Sequence, residues 1–152
     1  MVTAKVKSRT KRAQTLERRT VFIDTGAWIA LYVADDANHS AAKAQWEALL
    51  AQKTLLVTSN YVIDEAITTV RAIADHAVAV RLGEALFSSR RLWRVRIDEE
   101  LEREAWALFK RYDDQTFSFT DCTSFAVMRA EKIETAFAFD RDFLIAGFQT
   151  LP

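Results

Sequence analysis

Four short stretches of the chain each carry acidic side chains among residues that are otherwise mostly apolar or small. In order along the sequence they are VFIDTGAWIALY, NYVIDEAITTV, SFTDCTSFAVM and AFAFDRDF. Carboxylate oxygens are ligands that Mg²⁺ and Mn²⁺ prefer, and a cluster of carboxylates leaves coordination positions for water and a phosphate. If these acids meet in the fold, they could hold a metal ion that assists hydrolysis without a His, Cys or Lys nucleophile.

The elements that must position these acids are predicted from hydrophobic patterns. Short apolar runs alternate with helical periodicity, which predicts a parallel sheet flanked by helices, and three Gly and one Pro are too few for a chain of many short strands. We predict strands over residues 21–23, 55–58, 93–97, 136–139 and 148–151. We predict helices over residues 26–33, 39–52, 60–74, 76–87, 99–112, 118–131 and 142–146.

Two of the acids directly follow predicted strands. Asp24 comes after VFI and Asp140 comes after AFAF. In open α/β sheets, functional groups collect beyond the carboxyl ends of the strands, so we expect these two side chains to meet at one edge of the sheet. Taken singly, either Asp is equally well explained as a helix N-cap.

The other two acidic stretches leave alternatives open. Asp64 and Glu65 flank the predicted apolar stripe of their helix on opposite sides, so periodicity does not choose between them. Asp121 begins a helix, and its spacing from Ser118 is that of a capping box, which is the structural alternative to a role in chemistry.

The four stretches together, in this order, resemble the PIN domain family, which includes the VapC-type toxins of bacterial toxin–antitoxin pairs. The resemblance covers about residues 21–151. It implies a three-layer α/β/α fold with a five-stranded parallel sheet, and an acidic pocket that binds Mg²⁺ or Mn²⁺ and hydrolyses RNA. It also selects Glu65 over Asp64. The residues that it implies are catalytic metal ligands, with Asp142 as an additional ligand, are Asp24, Glu65, Asp121 and Asp140.

The sequence departs from the family pattern at one place, because Ala138 and Phe139 stand where Thr or Ser often precedes the last Asp. For substrate contacts we predict Arg141, next to Asp140, and Thr25, whose hydroxyl could position water or phosphate unless it is simply a turn residue. The arginine-rich segment 90–97 is interpreted either as a charged edge strand or as a phosphate-binding rim.

Charge and composition divide the chain into an arm and a domain. The formal net charge is zero, yet residues 1–20 hold seven Lys and Arg against one Glu. We predict that residues 1–20 form a basic, disordered arm, interpreted as a solvated tail, a phosphate-tracking segment or a transit-like peptide, and that residues 21–152 form the PIN-like domain. A single Cys and the absence of a membrane-spanning apolar run predict a soluble cytoplasmic protein.

These observations predict a metal-dependent endoribonuclease that acts as the toxin of a toxin–antitoxin pair. The alternative is a non-catalytic PIN-like module that binds RNA or serves as a scaffold. Residues 60–87 are more apolar than a small sheet requires, so we expect a homodimer, as the resemblance also implies. A toxin would also bind an antitoxin protein, although this sequence does not encode it.

Overall fold

The computed structural model describes residues 19–152, so most of the predicted basic arm lies outside the described residues. The described chain alternates strands and helices, as the hydrophobic pattern predicts. The strands are β1 (Thr20–Ile23), β2 (Leu55–Ser59), β3 (Leu92–Val95), β4 (Thr135–Phe137) and β5 (Gln149–Leu151). The helices are α1 (Thr25–Tyr32), α2 (His39–Ala51), α3 (Asn60–Ile73), α4 (His76–Ser88), α5 (Glu99–Arg111), α6 (Phe119–Ala130) and α7 (Asp142–Ile145).

The five strands form one parallel sheet in the order β3-β2-β1-β4-β5. Helices cover both faces, which gives the predicted three-layer α/β/α fold and confirms the fold class. Strand boundaries differ from the predictions by one or two residues. The largest differences are at β3 and β4, which end at Val95 and Phe137 rather than at residues 97 and 139.

The centre of the sheet is fully buried. Val21, Phe22 and Ile23 of β1 have no exposed surface, because β1 lies between two strands and beneath helices on both faces. This burial explains why β1 is a continuous apolar run rather than an alternating one. Phe22 on β1 and Phe125 on α6 both pack against Phe143 of α7, which ties this helix to the core.

Helix packing fixes the parts of the chain that carry the acidic side chains. Helix α1 contacts α2, α3 and α4, whereas α5 packs along α6, and α6 also contacts α3. Helix α6 is the most deeply buried of these, since every residue from Cys122 to Met128 is buried. Within residues 19–152, no helix is long and apolar enough to cross a membrane.

Candidate active site

The carboxyl edge of the sheet brings the first and last acidic stretches together, as predicted. Strands β1 and β4 are neighbours, with Ile23 paired to Phe137 at their ends. Asp24 follows this pair on β1, and its backbone amide donates a hydrogen bond of 3.1 Å to the Phe137 carbonyl. Asp140 lies three residues beyond Phe137 on the other chain segment, at the same edge.

Asp24 is a buried acid without the contact that would make it an ordinary cap. It stands at the N-cap position of α1, yet its side chain makes no capping hydrogen bond, and only 3% of its surface is exposed. Beside it, the Thr25 hydroxyl oxygen is buried and has no hydrogen-bond partner among the described residues. Buried polar groups usually have partners, so an unpartnered hydroxyl beside a buried, uncapped carboxylate indicates a ligand position.

Space is also left beside the Asp24 carboxylate. A Cβ atom built on Gly26 would have Asp24 Oδ2 as its nearest neighbour, at 3.9 Å. The missing side chain at Gly26 therefore keeps this side of the carboxylate open.

The last acidic stretch forms a small turn at the rim of the site. The Asp142 backbone amide donates a hydrogen bond of 3.0 Å to Asp140 Oδ1, and α7 begins at Asp142. Asp140 and Arg141 are exposed, whereas Asp142 is partly buried. Arg141 thus stands at the surface next to the acids, where it is accessible to a substrate.

Asp121 combines both of the roles considered from its sequence. Ser118 Oγ accepts a hydrogen bond from the Asp121 amide, and Asp121 Oδ2 accepts one of 2.8 Å from the Ser118 amide, which together form a capping box. The capping alternative is therefore correct. It does not exclude a role in the site, because the capping bond occupies one carboxylate oxygen and leaves Oδ1.

The structure separates Glu65 from Asp64. The Glu65 carboxylate is partly buried and lies close enough to Asp24 and Asp140 to affect the pKa values of both. Asp64 is exposed and lines a different groove, between α3 and β3, together with Arg94 and Arg96. The choice that periodicity left open follows from these positions, since only Glu65 faces the other acids.

The pKa values of three site carboxyl groups are raised because little water reaches them and several like charges lie together. Burial raises the pKa of Asp24 well above its usual value, and the negative charges of Asp140, Asp121 and Glu65 raise it further, against a lowering contact with the Thr25 backbone. Burial also raises the pKa of Asp121 to about 6, although its bonds with Ser118 act in the opposite direction. Such shifts are typical of carboxylates that share a site.

Asp140 behaves in the same way. Asp140 is exposed as a residue, but partial desolvation of its carboxyl group raises the pKa of that group. The charges of Asp142 and Glu65 add to this effect, while the hydrogen bond from the Asp142 amide lowers the pKa. Five acids from four separate parts of the chain thus influence one another. The raised pKa values of Asp24, Asp121 and Asp140 indicate that the concentrated negative charge is poorly compensated by the residues around it.

The donor groups of this site suit a divalent cation, although they are not yet arranged to hold one. Oxygen donors, excess negative charge, the unpaired Thr25 hydroxyl and the space beside Gly26 all suit Mg²⁺ or Mn²⁺. However, no three acidic, His or Cys groups of residues 19–152 are already arranged to hold an ion. Because like charges repel one another, binding would require the carboxylates to move closer together than they are here.

Two arginines of the arginine-rich segment bond to backbone carbonyls rather than to these acids. Arg91 donates a hydrogen bond to the Leu50 carbonyl, and Arg94 donates to the carbonyls of Leu86 and Ser89. These bonds satisfy groups near the ends of α2 and α4. Strand β3 is an edge strand, separated from β1 by β2. For Arg91 and Arg94, the interpretation as residues of a charged edge strand is therefore better supported than the interpretation as a phosphate-binding rim.

Sequence reasoning missed two buried side chains next to Asp24. Trp28 Nε1 donates a hydrogen bond of 3.3 Å to the Thr58 hydroxyl, which in turn donates one of 3.1 Å to the Ile23 carbonyl. The only signal in the sequence was a hydroxyl residue inside the apolar run of β2. Nothing in that signal indicates which strand or helix it contacts.

Comparison with known proteins agrees with this geometry. The PIN domain family model matches residues 21–149. The chain belongs to the PIN domain family. The 23S rRNA-specific endonuclease VapC20 of Mycobacterium tuberculosis (strain CDC 1551 / Oshkosh) is 40% identical over 131 residues, which are 84% of this PIN-domain chain and 95% of VapC20. The predicted VapC-type toxin ribonuclease is thereby confirmed.

Solved structures give the same result for the fold. The crystal structure of Mycobacterium tuberculosis VapC20, described as a sarcin–ricin loop cleaving toxin, has a TM-score of 0.77 at 39% identity, covering 84% of this chain and 95% of VapC20. VapBC2 from Rickettsia felis, bound to a DNA fragment from its promoter, has a TM-score of 0.66 at 13% identity, with coverages of 86% and 96%. FitAcB from Neisseria gonorrhoeae has a TM-score of 0.60 at 15% identity, with coverages of 87% and 96%.

Proposed function

We propose that this PIN-domain chain cleaves RNA with Mg²⁺ or Mn²⁺ held by carboxylates at the carboxyl edge of the sheet. The observation that carries the proposal is the buried Asp24 carboxylate, which makes no capping bond and lies among the charges of Glu65, Asp121 and Asp140. Retaining a buried charge without compensation is costly to a fold. A bound cation would supply that compensation.

The residues have distinct parts in this proposal. Asp24, Glu65, Asp121 and Asp140 would be the ligand set, and Asp142 would be an outer ligand at the rim. When bound, the metal would orient the phosphate and lower the pKa of an attacking water. The Thr25 hydroxyl would hold a water or phosphate oxygen inside the site, because it is buried there without a partner. The exposed Arg141 guanidinium would contact the substrate phosphates beside the acids.

The substrate that we propose is ribosomal RNA. VapC20 is named as a 23S rRNA-specific endonuclease and shares 40% identity over most of both chains. The acidic site alone does not select an RNA sequence, because carboxylates and a metal ion contact phosphates and water rather than base edges. The proposal of this substrate class therefore rests on the relative and not on the geometry.

The test measures cleavage of two labelled RNA probes, with a divalent metal ion and with EDTA. Purified full-length chain, freed of any bound inhibitor, is incubated with a fragment of large-subunit rRNA that contains the sarcin–ricin loop, and with an unrelated hairpin of equal length. We expect cleavage of the rRNA fragment with Mg²⁺ or Mn²⁺ and none with EDTA. Cleavage that EDTA leaves unchanged would contradict the metal proposal. Binding of RNA without cleavage under every metal condition would favour the non-catalytic alternative.

We also propose a homodimer, and we locate it on α5. The predicted segment 60–87 does expose apolar side chains, at Ile73, Val80 and Phe87. Helix α5, however, carries Trp106 and Phe109, which are 52% and 41% exposed and stack on each other at 5.6 Å, and both rings contact Phe119 of α6. A contiguous exposed aromatic patch of this kind is typical of an interface.

Charge on α5 favours a second copy of the same chain as the partner. Its first turn holds Glu99, Glu100 and Glu102, and its last turn holds Lys110 and Arg111. A two-fold axis perpendicular to α5 would place the two copies of this helix antiparallel, so that each acidic end faces a basic end across the paired aromatic residues. Light scattering should show twice the chain mass of 17.3 kDa at tens of micromolar, and a Trp106→Glu variant should be monomeric.

A cytoplasmic location and an antitoxin partner complete the proposal. The similar structures named VapBC2 and FitAcB have names of the kind given to toxin–antitoxin pairs, and VapBC2 was solved with a fragment of its own promoter DNA. Binding of a partner that covers the acidic edge would keep the ribonuclease inactive. Co-purification with the protein encoded next to this gene, together with loss of RNA cleavage in that complex, would support this partner.

A further inference from the structure

The peptide group that precedes Asp24 is held by a buried relay of hydrogen bonds. Its carbonyl, that of Ile23, accepts a hydrogen bond of 3.1 Å from the Thr58 hydroxyl. The Thr58 hydroxyl accepts one of 3.3 Å from Trp28 Nε1. Thr58 has no exposed surface and Trp28 has 3%, so water does not compete for these bonds.

The same peptide group is held from its other side as well. Its amide, that of Asp24, donates to the Phe137 carbonyl of β4 at 3.1 Å. The Asp24 carbonyl accepts hydrogen bonds from the amides of Ala27 and Trp28, at 3.1 and 3.2 Å. Trp28 is therefore connected to the Asp24 backbone twice, directly through its amide and indirectly through its indole and Thr58.

The Asp24 side chain contrasts with this well-held backbone. Its carboxylate makes no capping hydrogen bond, so its direction is set largely by the backbone and by packing. A ligand carboxylate must keep a narrow range of positions if it is to bind a metal together with acids from other segments. Groups that hold ligands in this way, without contacting the metal, commonly change metal affinity or activity by 10- to 100-fold when they are removed.

We propose that Thr58 and Trp28 are positioning residues that fix the direction of the Asp24 carboxylate toward the metal. They act through the Ile23–Asp24 peptide group and do not touch the metal or the substrate. This inference rests on the proposed function, since it assigns to Asp24 the role of a metal ligand. The competing explanation is that the relay only satisfies buried polar groups of the core.

A matched pair of threonines on one strand segment separates these explanations. Thr54, just before β2, is buried like Thr58, but its hydroxyl has no hydrogen-bond partner among the described residues. Thr58→Val removes the relay hydroxyl, Thr58→Ser keeps it, and Thr54→Val removes a buried hydroxyl that holds nothing. Each full-length variant is melted over a range of Mn²⁺ concentrations, and its cleavage of the rRNA fragment is measured over a range of RNA concentrations up to saturation.

We expect Thr58→Val to raise the Mn²⁺ concentration needed for half-maximal stabilisation by about tenfold or more, and to lower kcat while KM for RNA changes little. Thr58→Ser should restore most of the Mn²⁺ affinity, and Thr54→Val should match the wild type. A Thr58→Val protein that melts at a lower temperature without metal, but keeps the wild-type Mn²⁺ midpoint and kcat, would overturn the inference.

Two further outcomes keep the test decisive. If Thr58→Val does not fold, Trp28→Phe removes only the indole donor, and we expect it to raise the Mn²⁺ midpoint severalfold. An unchanged midpoint in Trp28→Phe would then overturn the relay. If Mn²⁺ fails to stabilise the wild-type protein at all, the proposed metal function fails and this inference fails with it. If Mn²⁺ stabilises the wild type and the variants at the same concentrations, the metal function stands and only the positioning role is wrong.

Discussion

Asp24 and Asp98 occupy equivalent positions in two parts of the molecule, yet their surroundings differ. Each follows a strand and stands at the N-cap of a helix. Asp98 is exposed, and its Oδ1 accepts a capping hydrogen bond of 3.0 Å from the Leu101 amide. Asp24 is buried, makes no capping bond and lies among other acids. The same residue at the same local position therefore stabilises a helix in one region and costs stability in the other.

This difference shows which observation separates a structural acid from a functional one. Local sequence pattern treats both residues alike, because Asp is favoured at any N-cap. Burial, the lack of a capping hydrogen bond and the presence of like charges distinguish Asp24. A buried charge among like charges is costly to a fold unless it is compensated, and here we propose that a divalent cation compensates it.

The largest expected effect comes from neutralising Asp24. Asp24→Asn should reduce RNA cleavage by at least about a hundredfold, because a ligand charge is lost where the metal would stabilise the transition state. Without metal, it should melt at the same or a higher temperature than the wild type, since one of several repelling charges is gone. Added Mn²⁺ should stabilise it less than it stabilises the wild type.

Asp98→Asn is the matched control, measured in the same cleavage assay and the same melts with EDTA and with Mn²⁺. Because Asn caps a helix about as well as Asp, cleavage and both melting temperatures should stay near those of the wild type. Equal Mn²⁺-induced shifts in the wild type and in Asp24→Asn would mean that Asp24 is not a ligand. The difference between Asp24 and Asp98 would then not indicate a functional role for Asp24.

The sequence was sufficient to predict the fold because its apolar runs and its helical periodicity alternate consistently along the chain. Continuous apolar runs predicted buried parallel strands, and β1 and β4 match them within one or two residues. Strands β3 and β4 both end two residues before their predicted ends, because apolar residues continue past each strand, at Ile97 and at Ala138 and Phe139. Asp24 and Asp140 could be placed at one sheet edge because strand ends in a parallel sheet meet there.

Other features of the site depend on contacts that periodicity cannot predict. The separation of Asp64 from Glu65 required the position of α3 relative to the acids, and only the family resemblance pointed to Glu65 beforehand. The relay from Trp28 through Thr58 to Ile23 joins residues that are 30 and 35 positions apart. A hydroxyl within an apolar strand does not indicate its partners, so this network emerged only from the packed structure.

A second comparison, of intermediate effect, concerns two adjacent acids on α3. Glu65→Gln should reduce cleavage by about tenfold or more and weaken stabilisation by Mn²⁺, because it removes one ligand charge from a site that has several others. Asp64→Asn should change cleavage less than about twofold, since surface substitutions away from a site have small effects. Cleavage rates and Mn²⁺ midpoints of both variants, measured side by side, check this. A larger loss in Asp64→Asn than in Glu65→Gln would mean that the catalytic site lies on the other side of the helix.

The smallest expected effect is on stability as pH changes, and its sign distinguishes the acidic site from an ordinary cap. Folding raises the pKa of Asp121 to about 6 from an unfolded value near 3.8. Between these values the folded state holds a proton that the unfolded state has lost, so the carboxyl favours folding most below about pH 4, and this advantage disappears as pH rises through about 6. Asp121→Asn keeps a capping oxygen but cannot titrate.

The melting temperature of the metal-free wild type, relative to Asp121→Asn, should therefore fall by a few degrees between pH 4 and pH 7, at roughly 2 to 4 °C per kcal/mol for a chain of this size. Saturating Mn²⁺ should reverse the trend, because metal competes with the proton for the carboxylate and binds better as pH rises. If the difference between the two proteins stayed constant across this range, Asp121 would behave as a solvated capping residue like Asp98. Its capping box with Ser118 would then be its only role, and the ligand set would be reduced to Asp24, Glu65 and Asp140.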